Sequence, residues 1–284
     1  MLGNYLQKRK FRHIEHAGAD YDGVINIHRF NTNNVGDRAS APYLYFSELR
    51  RKRIDILGFK EEFDYHDWTS EIAQNNVVVG GGGFLERKGF KHSIDFFLHL
   101  AEKGRKVVFW GIGHNDPRMG SYDYYSHKYS HDVSGIKLFG TRDINKHEWV
   151  PCASCMSNNL DRKYETKQEI GIVKHHSFNN LPESSYPVIY NDSSFEDVIK
   201  FIGESEYVVT DSYHAMYWSI LMQKKVLVVP NSTKMFNLKF PVPHTDFQSF
   251  KSHLSKTVVY NEALDICRDR NIEFAGKVFD YLGL

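Results

Sequence analysis

Three cysteines in 284 residues are too few for a disulfide framework, so the chain is expected in a reducing, cytoplasmic compartment. No apolar run approaches the roughly 20 residues that a membrane-spanning helix needs. The N-terminal MLGNYLQKRKFR carries basic residues with no apolar segment behind them, so no secretory signal is read there. Its Lys8, Arg9, Lys10 and Arg12 suit either a solvated tail or peripheral contact with the anionic inner face of a membrane. Charge of one sign is missing too: 36 Lys and Arg stand against 35 Asp and Glu, a formal net charge of +1. Nucleic acid is therefore not expected as a partner, because gripping phosphate backbones needs a clear basic excess. Internal repeats and low-complexity tracts are also absent.

What is present is a recurring unit: a short β-rich run, a turn, then a helical stretch. Apolar residues make up 41% of the chain and aromatics 14%, enough for two buried cores. Strands are read at Gly23–His28, Val77–Val79, Lys106–Trp110 and Ile136–Phe139, and a helix is expected from about Arg38 to Arg51. The apolar spacing of Ile94, Phe97, Leu98 and Ala101 marks another helix, closed by Gly104. A second series has strands at Ile170–Val173, Pro187–Tyr190, Tyr207–Thr210 and Val226–Val229. Ser193 and Glu196 have capping-box spacing ahead of one of its helices. Leu264, Cys267, Asn271, Phe274, Val278 and Tyr281 mark a long terminal helix.

Strands that alternate with helices imply parallel sheets, and two series imply an α/β protein of two Rossmann-like, doubly wound halves facing a cleft. The expected division is 1–157, 158–262 and a terminal helix over 263–284 that returns to the first half. In such sheets ligands bind beyond the carboxyl ends of the strands. The polar and glycine-rich oddities of this sequence fall at those ends, which points to an enzyme.

Asn34-Val35-Gly36-Asp37 offers a tight turn and a carboxylate able to deprotonate a sugar hydroxyl, though Asp37 also suits a helix cap. The glycines Gly80 to Gly83, with Gly81 and Gly82 at their centre, read as a loop presenting N–H groups to an anion. Gly111-Ile112-Gly113 repeats the theme, with His114 just beyond. Arg142 beside Asp143 can fork onto a carboxylate or phosphate, or pair with its neighbour. Asp211-Ser212-Tyr213-His214 places an imidazole at a helix start, where the dipole lowers its basicity. Lys234, in the loop after the next strand, can add a positive charge to the same cleft, and Tyr124 belongs to an aromatic stretch suited to stacking on a sugar. No metal or other cofactor is expected. Cys152 and Cys155 form a C-x-x-C without a second ligand pair, and His127 and His131 have i, i+4 spacing without a carboxylate motif.

In this order the motifs resemble the polysaccharide pyruvyl transferase family: Asn34 to Asp37, Gly80 to Gly83, Gly111 to Gly113, Arg142-Asp143, Ser212 to Ala215, and Lys234. The resemblance covers most of the chain. It implies a GT-B-like fold and transfer of the enolpyruvyl unit of phosphoenolpyruvate, a co-substrate, to two hydroxyls of a sugar or lipid-linked oligosaccharide. It further implies His214 as acid and phosphate partner and Asp37 as base. The donor would be held by Arg142, Lys174, His175, Ser212, Tyr213, Lys234, Gly81 and Gly82, and the acceptor by Asn34, Gly36, His114 and Tyr124. Ser212 stands where described members carry arginine. Two other readings stay open: a glycosyltransferase on the same scaffold, with Glu183, Asp192 or Asp211 holding a ribose, and a silent sugar- or nucleotide-binding protein.

Overall fold

The computed structural model describes residues 23–57, 72–116, 133–144, 147–178 and 185–284. Tyr124, the His127/His131 pair, Glu183 and the basic residues 8–12 lie outside the described residues. The first half is a six-stranded sheet built from β1 (Val24–His28), β2 (Arg53–Asp55), β3 (Asn76–Leu85), β4 (Val107–His114), β5 (Leu138–Thr141) and β6 (Glu148–Trp149). Its order is β2-β1-β3-β4-β5-β6, with every pairing parallel. The second half is a four-stranded parallel sheet of β7 (Gln168–Lys174), β8 (Val188–Tyr190), β9 (Ser205–Thr210) and β10 (Lys225–Val228), in the order β10-β9-β7-β8. The fold is therefore mixed α/β with two parallel sheets. Among the described residues no helix is long and apolar enough to cross a membrane.

Alternation along the strands decides which helix each face of the first sheet takes. Ile25, Ile27, Val77, Val79 and Phe109 point to one side and pack on Ile94, Phe97 and Leu100 of the helix Lys91–Glu102. Val24, Val78, Val108 and Trp110 point to the other and pack on Phe274, Ala275, Val278 and Leu282 of the terminal helix Ala263–Leu282. Both faces are covered, as a parallel sheet requires. The terminal helix begins elsewhere: its Ala263 and Cys267 belong to the core of the second half. It thus straps one half to the other, and Trp110 Nε1 donates to Asn271 Oδ1 at 2.9 Å midway along it.

Several expected elements differ. The glycine run is not a loop, because β3 continues through Gly80 to Leu85, and β4 likewise runs through Gly111 to His114. The helix expected over Arg38–Arg51 is only Val35–Ala39, here α1, followed by two short 3-10 turns. Pro42 explains the break, since it lacks the N–H a continuing helix needs and starts the first 3-10 turn. The helix Lys91–Glu102, here α2, keeps its expected face, and Gly104 follows it at φ +83°. In the second half α3 (Phe195–Gly203) is capped by Ser194, one residue later than expected, whose Oγ accepts from Asp197 N. Then come α4 (Tyr213–Leu221) and the terminal helix, α5.

Candidate functional site

Strand order reverses beside β1 in the first sheet and beside β7 in the second. Ligands of doubly wound sheets bind at such reversals, beyond the carboxyl ends of the strands. A cavity of about 510 Å³ lies there, shared by both halves. Arg29, Asn34 and Asp37 enter it after β1, Arg87 after β3, Asn115 after β4 and Arg142 after β5. From the second half come His175, Ser177 and Phe178 after β7, Ser212 to His214 after β9, and Asn231, Ser232 and Lys234 after β10.

The halves are tied together around this cavity by backbone. Val35 N donates to Asn191 O at 2.8 Å, Thr233 N to Asp116 O at 3.1 Å, and Ile144 N to Asn237 O at 3.3 Å. Helix α1 also sinks Val35 and Ala39 into the core of the second half, beside α3 and α4. Asn34 caps α1 through Oδ1, which accepts from Gly36 N at 3.0 Å. Asp37 is thereby carried to the cavity wall, where burial raises its proton affinity against the pull of Lys234, Arg142, Arg29 and Arg87.

Arg142 is the best-buried cation of the wall, 4% exposed. Its guanidinium lies 3.8 Å from the centroid of the Tyr213 ring. Glycine makes the room: a Cβ on Gly113 would stand 2.5 Å from Arg142 Nε, and one on Gly83 3.0 Å from Nη2. Arg142 Nε is buried without a hydrogen-bond partner among the described residues. An unpaired buried donor of this kind is costly. Arg29 is held rigid by two 2.9 Å contacts with Asp55. Lys234 is brought down to about 8 by burial first and by Arg142 second, with Asp37 pulling the other way.

His214 is the second residue of α4, so the helix dipole meets it end-on. Burial, then Arg142, Lys234 and His175, holds its pKa well below the ordinary value, and the ring is neutral when the cavity is empty. His175 is lowered to about 3, first by burial and next by Lys234, and stacks on His176 with ring centroids 4.9 Å apart. Gly36 packs against His214, where a Cβ would stand 2.1 Å from Nδ1.

Of the residues expected at the site, Asn34, Asp37, Arg142, His175, Ser212, Tyr213, His214 and Lys234 line the cavity. Gly36 supports it from behind His214. Gly81 and Gly82 do not reach it: Gly81, at φ +40°, packs on Ser40, and Gly82 on the Phe84 ring. Lys174 is also absent from the wall, because its Nζ is spent on Asp211, both side chains being buried. Asp211 Oδ1 accepts from His175 N at 2.6 Å as well, which sets the loop that carries His175. His114 is buried in β4, with Nδ1 2.9 Å from Glu86 Oε2, away from the cavity. Arg29, Arg87, Asn115, Phe178, Asn231 and Ser232 line the cavity without having been singled out. Their signal was position alone, one to four residues beyond the end of a strand.

Fold and site together define a parallel α/β protein with a cation-lined cleft between two sheets. A family model for polysaccharide pyruvyl transferase matches residues 19–233, and the chain belongs to that family, a family of transferase enzymes that act on polysaccharide acceptors. No curated protein matches the chain significantly. Among the described residues no three His, Cys, Asp or Glu side chains are grouped as metal ligands.

Proposed function

We propose that this transferase moves the enolpyruvyl unit of phosphoenolpyruvate onto two hydroxyls of a sugar, forming a cyclic ketal and releasing phosphate. The observation that carries the reading is the charge of the cavity. Among the described residues Arg29, Arg87, Arg142 and Lys234 line it against the single carboxylate of Asp37, while its two imidazoles are neutral. Phosphoenolpyruvate brings a phosphate and a carboxylate, about three negative charges near pH 7 by analogy with other phosphate monoesters. Arg29 is already paired with Asp55, so Arg87, Arg142 and Lys234 are the cations left to meet that charge.

The chemistry requires a proton at the donor's methylene carbon, which leaves a cationic centre at the neighbouring carbon. The first sugar hydroxyl attacks that centre, phosphate leaves, and the second hydroxyl closes the ketal. Of the two hydroxyl protons released, one replaces the proton given to the methyl group and the other leaves with phosphate. His214 is the acid. Its basicity is held down by burial, Arg142 and Lys234, so a bound anion that offsets those cations raises it and charges the ring. Asp37 takes the hydroxyl proton, with Asn34 beside it and Gly36 behind His214 to place the two together.

The same reading takes residues 1–157 as the acceptor side, 158–262 as the donor side and 263–284 as a returning helix, in a GT-B-like arrangement. Cell-envelope synthesis at the cytoplasmic face of a membrane belongs to it too, with no cofactor beyond the co-substrate. A nucleotide-sugar donor has less support. Asp211 is engaged by Lys174, and Asp192 is exposed and outside the cavity wall.

The test is to incubate the enzyme with phosphoenolpyruvate and a panel of glycans bearing paired hydroxyls. Stoichiometric phosphate release with a new ketal methyl resonance is expected. Phosphate-free transfer of a sugar from a nucleotide donor would overturn the proposal.

A further inference from the structure

The Pro151-Cys152-Ala153-Ser154-Cys155 segment reaches the imidazole of His214 through Cys152. Cys152 Sγ lies 3.6 Å from His214 Nε2. It also lies 3.2 Å from Ser154 Oγ, which in turn stands 3.0 Å from Trp218 Nε1. All four side chains are buried. The Cys152 carbonyl accepts from the Tyr217 hydroxyl at 3.0 Å, and the Trp218 ring centroid is 5.6 Å from that of His214. The chain of contacts is therefore fixed at both ends by α4, the helix that carries His214.

Its polarity follows from what each group can do. An indole N–H only donates, so Ser154 Oγ accepts from Trp218. The Ser154 hydrogen then needs an acceptor, and among the described residues Cys152 Sγ is the side-chain atom within reach. With Sγ accepting from Ser154, the S–H is left to point at Nε2. Burial pushes the Cys152 thiol up, which keeps that hydrogen on sulfur. A neutral imidazole has one donor and one acceptor nitrogen, so Nδ1 carries the proton. When the ring gains a second proton, the sulfur can instead accept from Nε2–H.

We propose that Cys152 is a positioning residue for His214: with Ser154 and Trp218 it occupies Nε2 in both protonation states and keeps a proton on Nδ1, the ring nitrogen beside Gly36. Sulfur suits this place because it serves as weak donor or weak acceptor without competing for the proton. The inference deepens the reading of His214 as the donor's acid and rests on it for its catalytic consequence. The tautomer itself does not depend on that reading.

The experiment is long-range proton–nitrogen NMR on protein labelled with 15N-histidine, with His214 assigned by its loss in His214→Ala. The wild-type ring is expected as the neutral Nδ1–H tautomer. Cys152→Ala should turn it to Nε2–H, and Cys152→Ser should retain Nδ1–H. In parallel, kcat should fall at least tenfold in Cys152→Ala with the KM for phosphoenolpyruvate unchanged, and recover in Cys152→Ser. An Nε2–H tautomer in the wild type, or an unaltered Nδ1–H tautomer in Cys152→Ala, would overturn the proposal. A wild-type turnover in His214→Ala alongside the expected tautomers would instead leave the contact standing and remove the acid role.

Discussion

The α-carbon of Gly36 lies against the imidazole of His214, so close that a methyl group there would stand 2.1 Å from Nδ1. These two residues come from opposite halves of the molecule and from sequence positions 178 apart. Glycine at 36 lets the turn that carries Asp37 reach the residue proposed as acid. Gly36→Ala must therefore push the ring or the turn aside. A misplacement of about 1 Å costs a reaction roughly 10²-fold, so kcat should fall by about that factor. Steady-state kinetics beside a thermal melt would check it, and a variant with near-wild-type turnover would separate Gly36 from the chemistry.

Arg142 offers a planar fork stacked 3.8 Å over Tyr213, and lysine can supply neither the fork nor the stack. Arg142→Lys should weaken phosphoenolpyruvate binding by about 2 kcal/mol, the scale of a charge-assisted hydrogen bond, or roughly thirtyfold. The loss should show in the donor's kcat/KM and leave the acceptor's KM unchanged. An unaltered donor kcat/KM would mean that Arg142 does not hold the anion.

Lys234 titrates near 8 in the empty cavity, below its ordinary value. It is charged below that pH and loses its charge as pH rises through it. Because kcat/KM reports the free enzyme, its value for phosphoenolpyruvate should decline above about pH 8. A bound anion favours the charged amine, so the corresponding limb of the kcat profile should lie at higher pH. Lys234→Arg should carry the kcat/KM limb upward out of the accessible range. Profiles of the two enzymes that coincide would contradict this.

Lys174 and Asp211 form a pair with side chains 1% and 0% exposed. Removing one partner strands a buried charge and typically costs 3–5 kcal/mol. Lys174→Ala should lose about that much stability in denaturant unfolding, whereas substituting a partly buried wall cation such as Arg87 should cost under about 1 kcal/mol. Equal losses would refute the division between scaffold and cavity drawn at Lys174.

Much of the scaffold was legible because it rests on period and order. Ile25, Val77 and Phe109 alternate with Val24, Val78 and Val108, and the face of α5 is written in Cys267, Asn271, Phe274 and Val278. The placement of His214, Asp37, Arg142 and Lys234 around one cavity follows from strand ends in both halves. What failed was local. Four glycines in a row suggest a loop, yet β3 carries them because its neighbours need space: Pro42 against Gly80, Ser40 against Gly81 and Arg142 against Gly83. Lys174 was indistinguishable from an anion binder until Asp211, one strand over, was seen to take it. Arg29 and Arg87 have no motif around them, and only the strand order that brings β1 beside β3 shows that both face the cavity.

Convergence of both halves on one trianionic donor would be read as ligand-induced stabilisation. A ligand at a hundred times its Kd adds about 2.7 kcal/mol to the native state, a rise of about 5 °C in melting temperature for a protein of this size. Phosphoenolpyruvate should produce such a rise in the wild type, and none in a variant carrying both Arg142→Ala and Lys234→Ala. Stabilisation by a nucleotide-sugar with no response to phosphoenolpyruvate, or an equal response to phosphoenolpyruvate from the double variant, would contradict it.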